Sequence, residues 1–217
     1  TATRQLAIKL LGEFEDCAYV VVPSGACAGM VRKHYAELVT DDPALAQRMA
    51  TLAAKTYELT EFLVNVAKIE NMPGNHTGSV TYHDSCSGLR ELGIKAQPRR
   101  LLARLPGVTL KEMPDAEECC GFGGAFSVKF GELSAAIAER KCNSINTAAA
   151  DVVVGGDLGC LLNIEGKLRR MGDQTTRVLH IAEFLAEQVR EGKLRLKKVA
   201  KSATFHDPCQ VVRRGGA

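Results

Sequence analysis

The residues able to do chemistry in this 217-residue chain are its eight cysteines. Four of them fall at telling spacings. Cys86 is followed after 32 residues by the adjacent pair Cys119 and Cys120, then Gly121, and 39 further residues lead to Cys160. Four thiolates from three separated stretches can surround one metal centre, because thiolate is the soft ligand that iron–sulfur clusters and zinc both accept. The neighbouring residues suit that task. Asp157 stands three residues before Cys160, Ser24 three before Cys27, and Asp84 or Ser85 just before Cys86, each where a helix N-cap belongs. A cysteine in the first helical turn sits at the positive end of the dipole, which favours the thiolate. Gly121, Gly123 and Gly124 let backbone come close to a bulky inorganic centre.

The remaining cysteines and histidines carry less. Cys17 has no motif around it and reads as a core or surface thiol. Cys142, inside the helix after the cysteine pair, reads as core packing. Cys27 and Cys209 are candidates for a second site that other residues must complete. His83 and His206 stand at strand ends beside Asp84 and Asp207. Their repetition points to a side-chain bond within the turn more than to catalysis. His34, His76 and His180 occupy ordinary positions.

An alternation of strands and helices must bring these sulfurs together. Short apolar runs at 19–22 and 151–154 read as buried parallel strands, with further strands near 80–83 and 108–112. Helical spacing covers 5–14, 28–38, 43–55, 59–68, 87–92, 98–104, 132–147, 158–171 and 181–189. A glycine-rich loop spans 119–124, and 71–75 is the clearest linker. The pattern predicts an α/β fold with parallel sheets flanked by helices. Cysteines that follow strands then gather at the carboxyl edge of a sheet, where such folds bind ligands.

The chain also repeats itself. Tyr19 to Cys27 matches Asp151 to Cys160 with one residue inserted. Glu61-Phe62-Leu63 matches Glu183-Phe184-Leu185, and Tyr82-His83-Asp84-Ser85-Cys86 matches Phe205-His206-Asp207-Pro208-Cys209. This divides the chain into the second half of a first unit (1–75), a complete unit (76–190), and a linker with the start of a further unit (191–217). A first unit without its opening and a last unit cut short predict an incomplete or rearranged chain.

Composition narrows the class. The chain is 46% hydrophobic, 24% charged and 5% aromatic, with 28 Lys+Arg against 25 Asp+Glu and a net charge of +3. Those values fit a globular protein and give no basic patch for nucleic acid. Arg99-Arg100 and the basic run over 193–201 read as solvated faces, with docking to an acidic partner left open. No apolar run reaches the ~18 residues of a membrane span, which leaves peripheral association as the only membrane contact. No export signal opens the chain, so a cytoplasmic setting with reduced thiols is expected, and metal binding is favoured over a disulfide framework.

The motifs resemble the cysteine-rich (CCG) domain of iron–sulfur proteins. The stretches VVPSGACAGMVRKHY, YHDSCSGLRELGIKAQPRRLL, ECCGFGGAFSVKFGE and GGDLGCLLNIEGKL are similar to the lactate-utilization protein A family, over roughly residues 1–190. That family is related to the B-type subunit of heterodisulfide reductase. The resemblance implies repeated CCG units and an iron–sulfur subunit of an L-lactate oxidising complex. It implies Cys86, Cys119, Cys120 and Cys160 as ligands of a cluster of the [4Fe-4S] kind, with other iron–sulfur or oxidoreductase subunits as partners. Two alternatives stay open: a heterodisulfide-reductase-like catalytic subunit, and a zinc-holding structural module. The heterodisulfide reductase pattern ends in Cys-x-x-Cys, whereas Asn163 occupies its last position, so a fifth thiolate is absent. The first unit keeps Cys27 without a Cys-Cys-Gly, and residues 205–216 (FHDPCQVVRRGG) read as the opening of another unit.

Overall fold

The computed structural model describes residues 1–70, Met72 and 76–192, and every strand pairing within them is parallel. Cys209, His206, the basic run over 193–201 and most of the 71–75 linker lie outside the described residues. The first half runs α1 (Ala2–Phe14), β1 (Val20–Val22), α2 (Gly25–Gly29), α3 (Pro43–Ala54), β2 (Thr56–Glu58) and α4 (Leu59–Glu61). It continues as β3 (Gly78–His83), α5 (Cys86–Leu92), α6 (Ala96–Ala103), β4 (Val108–Leu110), α7 (Ala125–Lys129) and α8 (Gly131–Ala148). Then come β5 (Val152–Gly155), α9 (Leu158–Arg170), β6 (Arg177–His180) and α10 (Ile181–Arg190).

Two helices expected from spacing are less regular than their patterns. After α2 the chain widens into a π turn at Met30–His34 and tightens into a 3-10 turn at Tyr35–Val39. After α4 it widens again at Phe62–Val66. Strands β2 and β6 were not expected. β2 is only Thr-Tyr-Glu between two helices, and β6 opens on an exposed Arg177 with two half-buried residues after it, so neither offers an apolar run.

β1 and β2 form one small sheet, and the other has the order β4-β3-β5-β6. The chain leaves β3 for one neighbour, β4, then crosses back to the other, β5. The direction of winding therefore reverses between β3 and β5, which opens a crevice at their carboxyl ends. Register places His83 opposite Gly155 there. Side-chain alternation along a strand sorts the two faces. Val80 and Tyr82 of β3, with Val152 and Val154 of β5, pack against Leu101 and Leu102 of α6 and Ile181 and Phe184 of α10. Val153 points the other way, into Cys142 and Ile145 of α8 and Ile164 and Leu168 of α9. His83 and Thr81 share the parity of that second face, and both are buried.

Similar caps recur in the two halves of the chain. Ser24 and Asp157 are the N-caps after β1 and β5. Glu58 and His180 are the N-caps after β2 and β6, each closing a capping box with Glu61 or Glu183. The two halves meet through these same caps. Ser24 Oγ donates to Asp157, the Ala26 amide lies 3.3 Å from the same carboxylate oxygen, and His180 Nε2 lies 2.7 Å from the Pro23 carbonyl. Backbones also touch where α2 crosses α5. A Cβ on Gly25 would stand 2.6 Å from Gly88 Cα and 2.9 Å from its nitrogen, and since both of those atoms belong to backbone, relief requires the helices to part. Gly25→Ala is expected to lower stability by about 1–3 kcal/mol, the usual cost of overpacking, measured as a reduced urea midpoint with an unchanged m-value.

Candidate metal centre

The candidate ligands come from three separate stretches of the chain. Cys86 is the first residue of α5, capped by Ser85, whose hydroxyl accepts from the Gly88 amide at 3.2 Å. Of the two cap candidates there, Ser85 does the capping. Asp84 instead forms a two-pronged ion pair with Arg99, at 2.8 Å on each oxygen, and Arg99 also holds Glu112. Cys160 lies in the first turn of α9. Its expected cap, Asp157, makes no side-chain bond to α9 and spends its carboxylate on Ser24 and Ala26 across the halves. Cys119 and Cys120 lie in the loop between β4 and α7.

The structure brings Cys120 and Cys160 together with a residue the cysteine spacing did not indicate. His83, Cys120 and Cys160 are all buried, and their ligating atoms lie within 4.8 Å of one another. Neither ring nitrogen of His83 finds a hydrogen-bond partner of good geometry among the described residues, so the bond within the turn expected from its repetition with His206 is not made. The signal that finds His83 is parity. It ends a strand whose odd-numbered residues face α8 and α9, the elements that carry the cysteine pair's supports and Cys160. Cys86 and Cys119 are not among those three; after burial, the charges of Cys120 and Cys86 add to the raising of Cys119, and Cys86 adds a smaller part to the raising of Cys160.

The two buried sulfurs behave as a unit. A hydrogen bond between Cys160 and Cys120, helped by His83 and the Phe122 amide, holds the Cys120 thiol well below its ordinary range against the effect of burial. The same bond, then burial and the Cys120 charge, pushes Cys160 up. Two thiols in a dry site share one proton because a second negative charge there is too costly without a cation. Burial raises Cys119, opposed by the Gly121 amide 3.3 Å from its sulfur.

The cysteine pair is clamped from both flanks. The Asn163 side-chain amide donates to the Cys120 carbonyl at 2.8 Å, and Ser134 Oγ donates to the Gly121 carbonyl at 2.7 Å. Gly121, at φ +85°, lies so close to α8 that a Cβ would stand 2.5 Å from the Ser134 carbonyl oxygen. Gly123 and Gly124 continue the turn at positive φ. Phe122 lies over Gly159 in the first turn of α9 and covers the pair. Asn163 thus has a positioning task at the position where a fifth thiolate would stand.

The other cysteines divide cleanly. Cys142 is fully buried between α8 and α9, and burial pushes its thiol up to about 11, which suits an inert core group. Cys17 packs against the core of the first half. Cys27 is exposed on α2 and is no part of the His83–Cys120–Cys160 group.

Buried soft donors, an orphaned imidazole and a backbone cradle fit a metal centre bound through sulfur. The same residues lie in a stretch that is similar to known proteins. The cysteine-rich domain (CCG) family matches residues 80–165. Lactate utilization protein A of Geobacillus kaustophilus is 47% identical over 177 residues, which covers 82% of this chain and 73% of that protein. The protein of the same name from Bacillus cytotoxicus is 44% identical over 176 residues, covering 81% and 73%. That from Lysinibacillus sphaericus is 43% identical over 177 residues, covering 82% and 77%.

Asn163→Ala leaves the buried Cys120 carbonyl without its donor and is expected to cost about 1–2 kcal/mol in the metal-free protein, read from urea denaturation. His83→Ala is expected to weaken retention of a bound metal about 10–100-fold, read by competition with a chelator.

Proposed function

The chain belongs to the lactate utilization protein A family, and on that premise we propose that it is an iron–sulfur electron-transfer subunit of an L-lactate oxidising complex. The observation that carries the reading is the gathering of Cys120, Cys160 and His83 in one buried group. In this reading Cys86, Cys119, Cys120 and Cys160 supply four thiolates to one cluster of the [4Fe-4S] kind. His83 supports the centre from β3, either at the metal or by steadying the Cys120 sulfur. When bound, such a cluster supplies one-electron chemistry at a potential set by its surroundings.

The chain's own residues then have distinct tasks. Cys120 is held ready as thiolate and Cys160 gives up the shared proton on ligation, since metals bind the deprotonated form. Asn163 and Ser134 fix the two carbonyls of the Cys-Cys-Gly turn, so the paired sulfurs keep one orientation. Phe122 keeps water from the buried pair.

Electron transfer is favoured over direct substrate binding by the cleft beside the centre. This cleft of about 540 Å³ has Asp84 and Glu118 in its lining, the sequence neighbours of His83 and Cys119. It is lined by five carboxylates against three cations. Two of those cations are already committed, Arg99 to Asp84 and Glu112, and Lys95 to Glu117. Such a surface is a poor seat for a small carboxylate. In this proposal lactate is oxidised on another subunit, and electrons reach this chain from an iron–sulfur or other oxidoreductase partner. A second, Cys27-centred site also involving Cys209 belongs to the same proposal as a site that further residues complete. No helix among the described residues is long and apolar enough to cross a membrane. The proposal adds a cytoplasmic setting, with any membrane contact peripheral.

Anaerobic purification is expected to give a brown protein with broad visible absorption and about four iron and four sulfide per centre. Cys120→Ser is expected to lose most of that iron while the fold persists by far-ultraviolet circular dichroism. A colourless protein with one tightly held zinc per chain and no sulfide would replace this reading by a structural zinc site.

A further inference from the structure

Lys141 is a lysine in the interior. It lies on the inward stripe of α8 with Ser134, Ala138, Cys142 and Ile145, and it is 1% exposed. Its ammonium is held by two neutral acceptors, the carbonyls of Asp115 at 2.8 Å and Ala116 at 3.1 Å. No carboxylate among the described residues forms an ion pair with it. A buried ammonium held only by neutral carbonyls is costly relative to water, and a packing or clamping role alone does not require the charge. The Ala116 carbonyl also accepts from the Asp84 amide at 3.3 Å, one residue beyond His83. The charge thus lies at the junction of the strand end that carries His83 and the loop that leads into Cys119 and Cys120. The anionic groups that act on it at longer range are Glu118, Asp84, Cys120 and Asp115, in that order, and they offset in part the lowering of its pKa by burial.

We propose that Lys141 is a positioning residue for the redox centre, whose buried ammonium raises the reduction potential by stabilising the more negative, reduced form. The inference rests on the iron–sulfur reading above. Four thiolates bring a formal charge of −4, which an iron–sulfide core neutralises only in part. One electron from a partner redox subunit makes the centre more negative by one, and its departure to the next carrier restores the starting charge. A fixed positive charge in a poorly screened interior favours the first step. The two carbonyl bonds keep that charge in place, and Ser144, one turn along α8, ties the same loop through the Pro114 carbonyl.

The test is a mediated redox titration, followed by EPR, of the anaerobically purified protein with Lys141→Met, Lys141→Gln and Lys141→Arg, alongside iron and sulfide analysis. Met keeps the apolar stem, Gln keeps a donor for the carbonyls, and Arg keeps the charge. The expected result is a potential shifted to lower values in the neutral variants that retain iron, and one close to the parent in Lys141→Arg. Iron loss from both neutral variants with retention in Lys141→Arg also supports a role for the charge. An unchanged potential in an iron-replete neutral variant overturns the proposal, as does equal iron loss from all three. Absence of iron and sulfide from the parent protein would instead sink the iron–sulfur reading itself, so the two failures are distinguishable.

Discussion

Two sulfur atoms in a dry crevice cannot both carry a charge unless something cationic lies between them, and the surroundings of Cys120 and Cys160 follow from that constraint. Their mutual hydrogen bond favours a thiolate at Cys120 and a thiol at Cys160. The groups around them are arranged to hold one thiolate and to tolerate more: the Phe122 amide, the His83 ring and, further off, the Lys141 ammonium. Desolvation strengthens each of these interactions because little water screens them. The same desolvation makes an unfilled site costly, which ties the state of the centre to the stability of the fold around it.

Elementary sheet geometry puts the crevice where it is. A parallel sheet whose winding reverses between β3 and β5 leaves their carboxyl ends uncovered, and α5 and α9 start there with their positive ends inward. Cys86 and Cys160 ride on those first turns. The cysteine pair arrives on a loop with no regular structure, so its orientation comes from outside it: Asn163 on α9, Ser134 on α8, and a glycine close enough to α8 to exclude any side chain. The first half of the chain braces the second through the caps of equivalent helices. Asp157 illustrates the trade, since its carboxylate leaves its own helix to bind Ser24 and Ala26.

Much of this was legible in the residues. Cysteine spacing, the Cys-Cys-Gly turn, the repeated strand-to-helix junctions and the parallel α/β alternation are one-dimensional signals of short-range physics. They identify Cys120 and Cys160 as partners across 39 intervening residues. What they miss depends on three-dimensional packing. His83 was readable only as a turn residue until strand register showed which face its parity selects. Asn163 read as an absence, a missing thiolate, because a hydrogen bond to a carbonyl 43 residues away has no sequence signature. Lys141 sits in an ordinary amphipathic helix, where a lysine is normally a surface residue. β2 and β6 escaped notice because three or four mixed residues carry too little periodicity. Asp157 was read as a cap by position, and it is one by backbone but not by side chain.

The account stands on sulfurs from distant points of the chain meeting at one metal. The most direct check is anomalous diffraction from crystals grown without oxygen, recorded on both sides of the iron absorption edge. A compact iron peak within bonding distance of the sulfurs of Cys120 and Cys160, reached also by Cys86 and Cys119, is the predicted result. Iron located away from the Cys120–Cys160 pair, or an anomalous signal at the zinc edge alone, would contradict it.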